Sequence, residues 1–315
     1  MRIFIIALIL TTSQLHAQEI SQVAEFGSEI ESEDFEMGAV NDIAVWENQI
    51  FVADGILSKI HHLEFSSAEI IRKNTIEVKE GQGPGELLEL RLAGASEDYI
   101  AAVDVQEQKI VVMGHDGELI DEFFVDFRPM SIDFHDEELL LTGFWMTTGP
   151  ELVYRYDVEG TKLGTMLARP DNWLEVAQTG NSGRIFPTED YLFVSYPAPF
   201  LIEKYDWQEN LIAEFEKPDQ SAGIEEDEDG ILVIESRITD IQKFGNYLLS
   251  VVTKENGYRF EWFDADLNQM HTLSSEEAGL DHISFARVLD DEHIIIRQLE
   301  PVPHLKVLNV NLDEH

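Results

Sequence analysis

Six times along the 315-residue chain, a short polar turn is followed at once by a run of β-branched or aromatic residues. The runs are Asn48-Gln49-Ile50-Phe51-Val52, Asp98-Tyr99-Ile100-Ala101-Ala102-Val103, Glu138-Leu139-Leu140-Leu141, Asp190-Tyr191-Leu192-Phe193-Val194, Asn246-Tyr247-Leu248-Leu249-Ser250-Val251 and Glu292-His293-Ile294-Ile295-Ile296. They recur every roughly 40 to 56 residues, the length of a four-stranded propeller blade with loops of variable size. Before each turn lies another apolar segment, such as Ile43-Ala44-Val45-Trp46. After it comes a third, for example Lys109-Ile110-Val111-Val112-Met113 or Leu201-Ile202-Glu203-Lys204-Tyr205, whose period of two predicts half-buried strands. Hairpin signals such as Asp116-Gly117 and Glu159-Gly160 then lead into a fourth, as in Leu119-Ile120-Asp121-Glu122-Phe123 and Leu211-Ile212-Ala213-Glu214-Phe215.

The sixth unit runs out at His315 after its third segment. Its fourth stands at the other end of the chain, where Gln22-Val23-Ala24-Glu25-Phe26 matches the two fourth segments just quoted. The expected fold is therefore all-β: a six-bladed β-propeller closed by an N-terminal strand that completes the last blade. Closure removes the open edges that an unclosed array would expose. One helical turn, at Ser275-Glu276-Glu277-Ala278, is the only helical expectation.

Met1-Arg2 precedes the apolar run Ile3 to Leu10, and Leu15-His16-Ala17 follows, the layout of a secretory signal peptide too short to span a bilayer. Cleavage is expected after Ala17, leaving residues 18–315 as one propeller domain, secreted or periplasmic and without membrane insertion. The chain has no cysteine, which excludes disulfides, thiolate metal sites, a cysteine nucleophile and a lipoprotein anchor. Acidic residues number 62 against 21 basic ones, a net charge of -41. Such a surface repels nucleic acid and anionic membranes.

Between the first two units the chain reads Glu80-Gly81-Gln82-Gly83-Pro84-Gly85-Glu86. This run resembles a hallmark of the bacterial extracytoplasmic six-bladed propellers grouped as TolB-like or NHL-like. Asp54 before Lys59-Ile60, and Asp104 before Lys109-Ile110, repeat a spacing similar to the NHL repeat, with the Asp placed to bond turn amides. The resemblance implies the fold. It implies little about activity, because propellers host lyases, hydrolases, carbohydrate binders and protein scaffolds.

Chemistry is harder to find. The glycine-rich run lacks the Gly-Lys-Ser/Thr of a phosphate loop, and Pro84 removes an amide donor, so it reads as a connection between blades. Glu225-Glu226-Asp227-Glu228-Asp229-Gly230 alternates acids like a calcium loop, but Ser236 stands where an EF-hand needs Glu and a strand-like run follows. It reads as a solvated acidic loop, with a weak cation site as the alternative. His61 and His62 are strand neighbours facing opposite sides, so they do not make a metal pair. There is no Gly-x-Ser-x-Gly and no His-Glu-x-x-His. No metal site, cofactor or catalytic residue is assigned.

One pattern stands out. Arg91, Arg128, Arg184, Arg237 and Arg287 each sit at or near the start of a first strand, and first strands line a propeller's channel. Long connections bring Trp145 and Trp173 toward the same face. Guanidinium groups and indole rings at a channel mouth suit an anionic or sugar-like ligand. The competing reading pairs these arginines with acids between blades. The expected function is a secreted, non-enzymatic binding or scaffold propeller for a small anionic or carbohydrate ligand, or for a protein partner. The alternative is a hydrolase or lyase acting on a carbohydrate, lactone or ester at that mouth.

Overall fold

The computed structural model describes residues 19–27, 37–144, 150–171, 183–196, 200–217, 225–226, 232–233, 236–254, 257–280, 283–298 and 304–312. Twenty-four strands form six four-stranded antiparallel sheets, and a two-stranded hairpin stands apart. Blade 1 holds β2 (Val40–Trp46), β3 (Gln49–Asp54), β4 (Lys59–Ser66) and β5 (Glu69–Glu77). Blade 2 holds β6 (Leu90–Ala95), β7 (Tyr99–Asp104), β8 (Lys109–Gly114) and β9 (Leu119–Phe124). Blade 3 holds β10 (Arg128–His135), β11 (Glu138–Phe144), β12 (Glu151–Asp157) and β13 (Lys162–Ala168). Blade 4 holds β14 (Arg184–Pro187), β15 (Tyr191–Tyr196), β16 (Leu201–Asp206) and β17 (Leu211–Glu216). Blade 5 holds β20 (Ser236–Phe244), β21 (Tyr247–Lys254), β22 (Gly257–Phe263) and β23 (Gln269–Ser274), preceded by the hairpin β18 (Glu225–Glu226) and β19 (Leu232–Val233). Blade 6 joins β24 (Ile283–Val288), β25 (His293–Gln298) and β26 (His304–Asn311) to β1 (Glu19–Phe26), so the chain's two ends share one sheet. The register runs from Glu19 opposite Asn311 to Phe26 opposite Leu305.

Six apolar clusters stabilise the ring, one at each blade boundary. Second strands explain why. In β3, Phe51 and Ala53 pack toward blade 2, while Ile50 and Val52 pack toward blade 6. A strand covered on both faces needs apolar residues at successive positions, which is why these runs are continuous. The same holds for β8, buried from Lys109 to Met113, where alternation predicts one open face. The outer strands, such as β5 and β9, are largely exposed.

Local chemistry joins the blades. Asp104 Oδ1 accepts the amides of Gln106 and Glu107 in the turn after β7, at 2.9 and 3.0 Å. Its Oδ2 accepts the amides of Leu88 and Glu89, which lead into β6, at 2.6 and 3.2 Å. Asp54 does the same in blade 1, bonding Ile56, Leu57 and, across to the incoming chain, Gly38. The glycine-rich run is the connection from β5 to β6. It wraps the buried Lys109 ammonium, which donates to the carbonyls of Gly83 (2.7 Å) and Glu86 (3.1 Å) and pairs with Glu122 at 2.7 Å. Gly81 (φ 156°) and Gly85 (φ 70°) adopt the backbone this wrap requires. His61 and His62 diverge as strand neighbours must: His61 approaches Asp54, and His62 meets Gln49. Ser275 to Gly279 form turns. The acidic run 225–230 enters the short hairpin at Glu225 and Glu226, and its remaining residues lie outside the described ones.

Candidate ligand site in the central channel

The first strand of each blade lines the channel. Five of the six ladders to the second strand carry a register shift, within β2, β6, β10, β20 and β24. The skipped residue is Asn41, Arg91, Met130, Thr239 or Ser284, and β14 pairs without a shift. Such a bulge sends the following residue to the face that the skipped one would have taken. Counted from the second strands, Asp42, Ser131, Arg184 and Asp240 share one level of the channel, opposite Ala53, Thr142, Ser195 and Val251. Two residues on, Ala44, Gly94, Asp133, Phe186, Gln242 and Arg287 share the next.

These strands enclose a cavity of about 200 Å³. Its charged lining is Asp42, Glu47, Asp133, Asp240, Arg184, Lys243 and Arg287. Arg287, from blade 6, reaches the blades on both sides. Nη2 donates to Asp42 Oδ1 at 2.7 Å, Nη1 to Asp240 Oδ2, and Nε to the Ile43 carbonyl at 2.7 Å. Burial works against its charge, but the carboxylates of Asp240, Asp42 and Asp133 outweigh this and hold the guanidinium more firmly protonated than usual. Asp240 is shifted upward by burial, against the pull of Arg287 and Arg184.

Arg184 and Asp133 are held differently. Arg184 donates from Nε to the Thr239 carbonyl (2.9 Å) and from Nη1 to the Met130 carbonyl (3.4 Å). Main-chain acceptors from blades 5 and 3 thus orient it, and among the described residues no carboxylate pairs with it. Asp133 belongs to blade 3, across the ring from blade 6. Among the described residues, its one hydrogen bond is from the Phe134 amide, 2.8 Å. Burial pushes its carboxyl up to about 7; the Phe134 bond opposes this, Asp240 adds to it, Arg287 opposes it and Asp42 adds to it. With every group ionised, four carboxylates against three cations make the wall -1, and one proton taken up by a carboxyl neutralises it. Asp133 and Asp240 are thus both shifted toward the protonated form by burial, Asp133 to about 7.

Of the five arginines singled out by position, the channel brings together Arg184 and Arg287, one level apart. Arg91 is exposed and pairs with Glu89. Arg128 is exposed on the first residue of β10. The Arg237 side chain, Trp145 and Trp173 lie outside the described residues. Asp42, Asp133 and Asp240 went unassigned in the sequence. Their signal was present, as single acids inside apolar first strands: Asn41-Asp42-Ile43, Ile132-Asp133-Phe134 and Thr239-Asp240-Ile241.

No family model matches the chain, and no curated protein matches it. Solved structures do. It is similar to a Bacteroides fragilis NCTC 9343 protein described as exported, with TM-score 0.64 and 12% identity, over 94% of this chain and 96% of that one. A DUF4221-family member from Bacteroides vulgatus ATCC 8482 gives TM-score 0.64 and 10% identity, over 94% and 99%. Streptogramin B lyase gives TM-score 0.51 and 15% identity, over 93% and 98%. Identities this low speak to the fold alone. Among the described residues, no helix is long and apolar enough to cross a membrane.

Proposed function

We propose that this chain is an exported binding propeller. Residues 1–17 are removed as a signal peptide, and residues 18–315 form one domain whose channel receives a small anionic or sugar-like ligand. The observation that carries this reading is Arg184, oriented by two carbonyls in a cavity of about 200 Å³ rather than matched to a carboxylate. Its remaining N–H groups suit a ligand carboxylate or a sugar oxygen. Arg287 is answered by two carboxylates and holds the wall together. Arg91, Arg128, Arg237, Trp145 and Trp173 belong to the rim in this reading, on the face where ligand enters.

A thermal-shift and calorimetric screen of small carboxylates and monosaccharides tests it. The expected result is at least one binder whose affinity Arg184→Ala lowers tenfold or more. Binding that survives Arg184→Ala moves the site out of the channel. The geometry also favours a second reading, hydrolase or lyase chemistry with Asp133 as the proton-transfer group, because its carboxyl lies near 7 in the cavity wall. Turnover of a lactone or ester lost in Asp133→Asn would favour that reading over simple binding.

A further inference from the structure

A second site lies away from the channel, where blades 4 and 5 meet on the face formed by the turns between first and second strands. Its centre is Lys204, on the third strand of blade 4 opposite Phe193. The equivalent third-strand positions in blades 2, 5 and 6 hold Val112, Trp262 and Val307, each 0% exposed. Two other blades place a polar residue there and match it within the blade. In blade 1, His62 Nε2 meets Gln49 Oε1 at 2.6 Å. In blade 3, the Arg155 guanidinium forks onto Glu138 at 2.8 and 2.9 Å.

Blade 4 breaks this rule. The matching position is Tyr191, which offers a ring face: the Lys204 ammonium lies 3.9 Å from its centroid. Lys204 is 6% exposed, its one hydrogen bond among the described residues goes to the Ala265 carbonyl of blade 5, at 2.9 Å, and its charge reaches the Asp264 carboxylate without pairing with it. Lys109, 2% exposed, has three acceptors. A buried ammonium costs free energy unless its donors are met. Lys204 keeps donors unfilled among the described residues, where the repeat elsewhere accepts valine or tryptophan.

Those donors face a groove of about 310 Å³ whose lining includes Tyr191, Phe193 and Asn246, a second lysine, Lys243, and the acids Glu189, Asp190 and Asp264. The volume is at the lower end of ligand pockets, about 300–1,000 Å³, which suits a ligand of one or two rings. The ammonium calls for a carboxylate. Tyr191, half-buried at the blade 4/5 boundary, offers an apolar surface to a sugar ring, and Asn246 and the exposed Lys243 offer hydrogen bonds to hydroxyl groups. We infer that the groove between blades 4 and 5 binds a carboxylated saccharide unit of the uronic-acid type, with its carboxylate on Lys204.

Titration calorimetry and saturation-transfer NMR test this with galacturonic and glucuronic acid as probes, against galactose and glucose. Wild type should bind at least one uronic acid at least tenfold more tightly than its neutral counterpart. Lys204→Met should lose that preference while melting at or above the wild-type temperature, because the position accepts apolar residues in three other blades. In an Arg184→Ala background, which removes any contribution of the channel, Lys204→Met should still abolish the preference, which separates this groove from the channel. The inference is overturned by wild type that binds neither uronic acid, by Lys204→Met that binds as wild type does, by a preference that Lys204→Met leaves unchanged in the Arg184→Ala background, or by a lowered Lys204→Met melting temperature, which would make the lysine structural.

Discussion

At Arg287 one guanidinium answers two carboxylates from different blades, in a channel that solvent reaches poorly. Removing it would leave Asp42 and Asp240 without the guanidinium that bonds them both, and with only the more distant pull of Arg184 on Asp240. Breaking a buried pair in this way costs about 3–5 kcal/mol, because the stranded charge keeps its desolvation penalty. Arg287→Met should show a loss of that size in urea unfolding, and Arg287→Lys should recover little, since an ammonium cannot span both carboxylates. A loss within about 1 kcal/mol of wild type would mean that other groups balance the channel. Asp133 makes a pH prediction with a definite sign. Its folded pKa, about 7, lies above the unfolded value of 3.8, so the native state holds the proton that the unfolded chain releases. Wild-type stability should therefore decline, relative to Asp133→Asn, as pH rises from about 4 to about 7, and run parallel to it above that. The integrated difference is of order 4 kcal/mol if the full shift is realised. Parallel curves across that window would place the Asp133 carboxyl in water.

The connection from β5 to β6 shows how an element can be organised by one side chain. Lys109 holds the two carbonyls and the Glu122 carboxylate that give the glycine-rich run its shape. Glu122 Oε2 in turn accepts the Gly85 amide at 2.6 Å, and Glu86 Oε2 accepts the Gly83 amide at 2.9 Å. Lys109→Met removes the cation around which these acceptors are arranged, and should cost about 3 kcal/mol in chemical denaturation. Gly85→Ala asks for a left-handed residue at φ 70° and should cost about 1–2 kcal/mol. If Lys109→Met unfolded with wild-type parameters, the motif would owe its shape to its glycines and Pro84 alone.

For the whole molecule, stability rests on closing the ring. β1 covers the edge of β26, and Ala24 of β1 joins the cluster that also holds Ile43, Ile50, Val52, Leu305 and Val307. Deleting residues 18–30 takes away that strand and leaves β26 with unpaired amides and carbonyls. The truncated protein should melt at least several degrees lower and aggregate on heating, as read by calorimetry with light scattering. Unchanged melting would show that five complete blades and a three-stranded sixth suffice.

Period, turn chemistry and strand apolarity are local properties, so the sequence alone determined the six units, their strand count and the closing match between residues 22–26 and the other fourth strands. It also placed Asp54 and Asp104 at their turns, because each bonds amides a few residues away. The channel was not legible in this way. Arg91, Arg128, Arg184, Arg237 and Arg287 look alike when counted from strand starts, yet register shifts in five of six first strands set which residues share a level, and side chains change face with each step. What balances Arg287 is decided further still along the chain: Asp42 is 245 residues away and Asp240 is 47. Lys204 likewise reads as an ordinary polar residue on an alternating strand until the blade 5 turn is packed beside it. Only the tertiary structure could decide these pairings, because a contact between blades depends on ring closure and register, which no local pattern encodes.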